Sequence, residues 1–296
     1  MNVAVPAEHV DGINGIALAA GVAGLELGIS LALPEYRTVC WAERDAYAAA
    51  ALVARMEEKI LDDAPVWSDV TTFDGGAWRG KVDILSAGYP CQPFSLAGKR
   101  KGKDDPRHLW PHVRRILSDT AAPVLFVENV PGHVGLGLEA VRNDLLGMGY
   151  AVEAGIFSAA EVGASHIRQR LFILAYADGV ICSKLADLVA QRWGTADPGG
   201  KVPTRSLSGG EGMDNTLSDG NGKTAWLFPP APSEFDAWDS WLAARPDGQP
   251  ALSGEPDGMA NRMDRYRLAG NGVCPLAAGY AFASLVLAAS GRANMM

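Results

Sequence analysis

Three short apolar runs constrain this 296-residue chain more than anything else in it: VDILSAGYP (82–90), PVLFVENV (123–130) and RLFILAYA (170–177). Each is rich in Val, Ile, Leu or Phe, lacks strict polar alternation and is bounded by turn residues. Each therefore reads as a strand buried on both faces. Helix-like stretches separate the strands, AYAAAALVARMEEKI (46–60) and PHVRRILSDT (111–120). Such strands need helices on both sides. The alternation over residues 9–175 predicts an α/β fold, a doubly wound and mostly parallel sheet.

The pattern stops at residue 178. Gly and Pro make up 20 of the 87 residues in 178–264, against 32 of the other 209, and hydrophobic periodicity largely disappears. Four of the eight tryptophans (Trp193, Trp226, Trp238 and Trp241) fall in this stretch. The expected organisation is a main domain over 9–177, a small irregular second domain or insert over 178–264, and a return to the main domain over 265–296. The apolar run from Val273 to Ala289 contains a proline and is short for a bilayer, so it reads as a buried terminal helix.

A net charge of −8 excludes a polybasic nucleic-acid binder, so any such contact needs a local patch. Cys40, Cys91, Cys182 and Cys274 lie far apart with no CxxC pair, which argues against a zinc ribbon or disulfide scaffold. The first residues, MNVAVPAEHVDG, lack a basic start followed by an apolar run. The expectation is a cytoplasmic protein with no membrane association and no metal.

The chemistry-bearing residues sit where strands end. Cys91 follows the strand ending at Ala87, at the edge where open α/β sheets place their ligands. Pro90 and Pro93 restrict the backbone around its thiol. The residue is either a nucleophile, which needs local deprotonation, or a small buried hydrophobe. Glu128 and Asn129 end the next strand in the same way. A partly buried Glu128 could hold a proton, or it could simply fix a loop. A thiol and an acid at one sheet edge suit attack on an electron-poor ring whose nitrogen must be protonated, such as a pyrimidine at C6.

Eight ordered motifs, AGVAGLELG, ERDAY, SDVTTF, GYPCQPFS, DDPRHLW, FVENVPG, HIRQRLF and AGNGV, give the chain a resemblance to the cytosine-C5 DNA methyltransferases, in particular the compact bacterial and phage-type members. The similarity covers about residues 12–177 and 262–289. It implies a Rossmann-like domain that binds S-adenosylmethionine (SAM) and a mechanism in which Cys91 adds to C6 of cytosine. Glu128 would protonate N3, with Pro90, Asn129 and Val130 shaping the pocket. Arg168 and Arg170, spaced to point the same way on a strand, would grip the O2 edge and nearby phosphate. SAM would be held by Gly21, Gly24, Glu43, Asp69, Asn271 and Val273.

Three positions depart from the family pattern. Ala19 replaces a phenylalanine, Ala23 replaces a turn glycine and His166 replaces a glutamine. The first removes a ring near the cofactor, and the second adds a Cβ to a tight turn.

The resemblance also implies duplex DNA as partner, with the target base rotated out of the stack. The chain is expected to act as a monomer on DNA in a bacterial or phage-infected cell, with a cognate restriction endonuclease as a further expected partner. Residues 99–115 carry seven Lys or Arg against two Asp, a local +5. Lys99, Arg100, Lys101, Lys103 and Arg107 are the candidate phosphate contacts, with Ser95 near the gap left by the base. Residues 178–264, where the family reads its target sequence, carry seven Lys or Arg and thirteen Asp or Glu, a net −6. A tRNA cytosine-5 methyltransferase and a catalytically silent DNA-binding relative are the alternatives.

Overall fold

The computed structural model describes residues 12–89, 109–164, 166–177, 179–193, 216–218, 224–226 and 272–293. The main sheet has seven strands: β1 (Ile13–Leu18), β2 (Tyr36–Ala42), β3 (Val66–Trp67), β4 (Ile84–Ala87), β5 (Val124–Asn129), β6 (Ala151–Ser158) and β7 (Gln169–Tyr176). Their spatial order is β3-β2-β1-β4-β5-β7-β6. A separate pair, β8 (Thr216–Ser218) and β9 (Thr224–Trp226), forms an antiparallel ladder. The helices are α1 (Gly24–Ala32), α2 (Ala46–Glu57), α3 (Trp110–Thr120), α4 (His133–Leu136), α5 (Leu138–Gly147), α6 (Gly179–Trp193) and α7 (Pro275–Ala293).

The central strands are buried on both faces, as their composition predicts. Ile84, Val124, Phe126, Phe172 and Leu174 point into one core, and their neighbours Leu85, Leu125, Val127, Leu171 and Ile173 point into the other. This period-2 division lets a continuous apolar run feed two helical layers. On the first face lie α1, α6 and α7, where the Phe282 ring meets Phe126 edge-on at 5.1 Å. On the second lie Val113, Ile116 and Leu117 of α3 with Val141 and Leu145 of α5. α2 packs Leu52 and Met56 against Trp41 and Ala17. Asp45 starts that helix by accepting from the Tyr47 and Ala48 amides at 3.1 and 3.0 Å.

Two elements differ from the sequence-based expectation. Within 178–264, α6 carries a single apolar stripe (Leu185, Ala186, Val189, Trp193) packed on the first face, and Trp193 Nε1 donates to the Leu31 carbonyl at 3.3 Å. The periodicity is real, but one 15-residue helix is diluted by the Gly/Pro-rich residues that follow. The second is β6, a sheet-edge strand with an exposed and interrupted pattern, AVEAGIFS, which gives little apolar signal. It forms a hairpin with β7, so β7 runs antiparallel to both β6 and β5. No helix among the described residues is long and apolar enough to cross a membrane.

Candidate active site

Chain order reverses at β1, which pairs with β2 on one side and β4 on the other. This opens a crevice at the carboxyl ends of the strands. The Ala19–Gly24 turn leaves β1 at that edge, Glu43 leaves β2, Gly88 leaves β4 and Glu128 ends β5. Reversal of β7 brings its amino end to the same edge: the register Asn129↔Leu171 puts Arg170 beside the end of β5.

Glu43 organises the turn between β1 and α1. Its Oε2 accepts from the Gly21 amide and its Oε1 from the Asp45 amide, both at 2.7 Å. A carboxylate has about four lone-pair positions, so two remain for further donors. A Cβ added to Gly21, at φ +56°, would meet nothing within 4 Å, which leaves the turn open toward the crevice. Asp69 is half-buried and caps a short 3₁₀ turn; the Thr71 amide donates to it at 2.8 Å. That bond, with a smaller contribution from Arg44, holds its carboxyl below the ordinary range. Two acids and an open backbone turn thus fit a nucleoside carrying free hydroxyls and an amino group.

Ala19 and Ala23 take left-handed backbone conformations, at φ 50° and 64°. The turn therefore keeps the shape glycine favours although alanine occupies it. Gly24 has a packing reason of its own. A Cβ there would lie 2.5 Å from the Val273 carbonyl oxygen, so its glycine admits the 272–274 segment.

Glu128 is largely buried, with its side chain 12% exposed, and its Oε1 pairs with Arg170 Nε at 2.7 Å. Burial outweighs the charges of Arg170 and Arg168 and pushes the carboxyl up to about 7, so near neutral pH it can keep or release a proton. Asn129 is buried beside it; Oδ1 accepts from the Val130 amide at 2.8 Å, and Nδ2 reaches the Tyr89 carbonyl at 3.4 Å. The acid strand is thereby tied to the backbone just before Pro90. A Cβ on Gly88 would sit 3.5 Å from the Ala19 carbonyl and 3.9 Å from Glu128 Oε2, so cofactor turn and acid meet there. Neither Gly88 nor Arg44 stands out in sequence reasoning, because each matters only through neighbours distant in the chain.

The arginine pair needs a correction. Arg168 precedes β7 at φ 33° and its guanidinium donates to the Gly272 carbonyl, whereas Arg170 lies in the strand and holds Glu128. The two do not share a strand face; one ties down the segment before α7 and the other the acid. Burial and Arg168 lower the pKa of His166, favouring its neutral form. Burial raises the Cys274 thiol and pushes that of Cys40 up to about 12, so neither is a poised thiolate. Pro90, Cys91, Ser95, Lys99, Arg100, Lys101, Lys103, Arg107 and Asn271 lie outside the described residues. Among the described residues no group of three or more His, Cys, Asp or Glu could hold a metal ion.

Fold and site together define an open α/β domain with a largely buried acid at the carboxyl edge of its sheet. The model of the C-5 cytosine-specific DNA methylases matches residues 13–210, and the chain belongs to that family. It is 36% identical over 119 residues to the type II methyltransferase M.NgoMIV of Neisseria gonorrhoeae, covering 38% of each chain. Over 166 residues it is 34% identical to M.PspPI of a Psychrobacter species, covering 54% of this chain and 38% of that one. Over 174 residues it is 30% identical to M.HhaI of Haemophilus parahaemolyticus, covering 57% and 50%. The chain spans half or less of the length of these curated relatives.

Proposed function

We propose that the protein is a DNA cytosine-C5 methyltransferase that uses SAM and acts on a cytosine rotated out of duplex DNA. The observation that carries this reading is the largely buried Glu128–Arg170 pair at the sheet edge, tied through Asn129 to the backbone before Pro90 and Cys91. Glu43, Gly21, Asp69 and Val273, with Asn271, would hold the cofactor. Bound there, SAM supplies an electrophilic methyl group.

The chain's own residues do the rest. The Cys91 thiolate adds to C6 of the base, forming an S–C6 bond and moving an electron pair toward C5. Glu128 holds a proton at N3, which draws that charge into the ring, and Arg170 fixes the carboxyl against it. C5 takes the methyl group as its bond to the sulfonium breaks, leaving a neutral thioether; the C5 proton passes to water, the C6–S bond breaks, Cys91 departs as thiolate and the ring regains aromaticity. The basic residues from Lys99 to Arg107 would meet phosphates. The type II methyltransferase names of the relatives support a cognate endonuclease as a further partner.

The test is methyl transfer from labelled SAM to mixed-sequence unmethylated duplex DNA, with tRNA and Cys91→Ala in parallel. The expected result is 5-methylcytosine in DNA, lost in the variant. Transfer to tRNA alone would replace the substrate. No transfer by a folded protein would mark a silent relative.

A further inference from the structure

Glu26 is the only charged residue of α1, and it is 2% exposed. Its Oε1 lies 2.6 Å from Ser86 Oγ, and the same hydroxyl lies 3.3 Å from the Ile16 carbonyl. Serine has one hydroxyl proton and can serve only one of these acceptors. Glu26 Oε2 has no hydrogen-bond partner among the described residues.

No described cation faces this carboxyl. From β2 comes the neutral Tyr36, and just beyond β2 comes Glu43, whose charge disfavours a second carboxylate. From β1 and β4 come the Ile16 carbonyl and Ser86. Between Pro275 and Gly291, α7 has no Asp, Glu, Lys, Arg or His, and its Tyr280 ring packs on Phe157 and Trp193. On α6, Lys184, Asp187 and Arg192 are exposed. An anion here would keep an oxygen without a donor in an apolar layer, which is steeply unfavourable. A neutral acid donates to Ser86 Oγ and frees the serine proton for the Ile16 carbonyl.

We propose that Glu26 is a protonated positioning residue: its carboxyl O–H donates to Ser86 Oγ, Ser86 O–H donates to the Ile16 carbonyl, and this clasp fixes the Ala19–Gly24 turn against the strand leading to Cys91. The clasp joins α1, β4 and β1 directly beneath the turn, and its effect on the cofactor rests on the SAM reading above. Burial dominates the carboxyl's chemistry; it outweighs the Ser86 hydrogen bond and the residue's own amide, and Glu43 adds to it, pushing the group up to about 7.

The sign of the pH effect follows. Between the ordinary glutamate value of 4.5 and about 7, the unfolded chain releases this proton while the folded chain keeps it. The contribution to stability is therefore complete below the lower value and is lost as pH rises toward the upper one.

The test uses the full chain as wild type, Glu26→Gln and Ser86→Ala. A glutamine amide preserves both hydrogen bonds without titrating. In chemical denaturation, wild-type stability relative to Glu26→Gln should fall as pH rises from about 4.5 to about 7. A flat difference, or one of opposite sign, overturns the proposal. Amide exchange at pH 6 over residues 19–28 should be slow in wild type and Glu26→Gln and tenfold or more faster in Ser86→Ala; equal rates overturn the positioning role. If Ser86→Ala fails to fold, the Glu26→Gln pH profile decides. Calorimetry with SAM should show affinity reduced in Ser86→Ala and retained in Glu26→Gln, and equal affinity in all three overturns the cofactor link. Absence of binding in every form counts against the SAM reading alone, because the first two measurements use no cofactor.

Discussion

At the scale of single residues, the site turns on how burial and charge compete at Glu128. The family resemblance makes this residue a proton holder, and its environment supplies the means: burial raises its affinity for a proton while Arg170 stops the shift from running further. Methyl transfer should therefore fall as pH rises through about 7, where the protonated acid is lost. Glu128→Gln should slow transfer by about 10²–10⁴ without weakening SAM binding, and a pH-rate profile with calorimetry checks both. Ala23 poses a subtler balance. Its left-handed backbone costs an L-residue about 1–2 kcal/mol, while its buried methyl returns about 0.8 kcal/mol and alanine avoids the extra unfolded-state freedom of glycine. These nearly cancel. Ala23→Gly should change stability by less than about 1 kcal/mol, as measured by denaturant unfolding, so this departure from the family pattern does not by itself disable the turn.

The helices and strands show why part of the site was legible in sequence and part was not. Glu128 stands at the end of an apolar run, which is visible without coordinates, whereas Glu43 and Asp69 are reached only through the family resemblance. Arg168 and Arg170 looked equivalent because a two-residue spacing implies a shared strand face. Their separation depends on where β7 begins, and the reversal of β7 depends on β6, an edge strand with too few buried residues to announce itself. Gly24 and Gly28 were equally opaque, since what lies against them comes from the far end of the chain. A Cβ on Gly28 would sit 2.6 Å from the Ala278 Cβ and 2.7 Å from the Pro275 carbonyl. Gly28→Ala should therefore push α1 away from α7 and destabilise the protein by about 1–3 kcal/mol, as overpacking does. Because Val273 lies one turn earlier against Gly24, SAM affinity should drop with it. Denaturant unfolding and calorimetry on the same variant test this coupling, and an unchanged Kd with lowered stability would separate the helix contact from the cradle.

For the whole molecule the charge distribution sets the terms on which DNA could bind. The net −8 divides into +5 over residues 99–115, −6 over 178–264 and −7 elsewhere. A phosphate backbone approaching this chain is repelled on average, so the basic segment must dominate both attraction and orientation. Each phosphate neutralised contributes about −0.9 to the slope of log K against log salt. If Lys99 and Arg100 each meet a phosphate, replacing both with alanine should flatten that slope by about 2 and weaken binding similarly for all DNA sequences. The same pair exposed to solvent would leave the slope unchanged. Acidic residues in 178–264 bear the opposite prediction, because removing a negative charge near DNA strengthens binding most at low salt. Measuring the slope for a Lys99→Ala, Arg100→Ala variant beside an Asp236→Asn, Asp239→Asn variant therefore locates the phosphate path. A change confined to the first assigns it to the basic segment. A change in both places 178–264 within a Debye length of the duplex, about 10 Å at 0.1 M salt, as target reading by that segment requires.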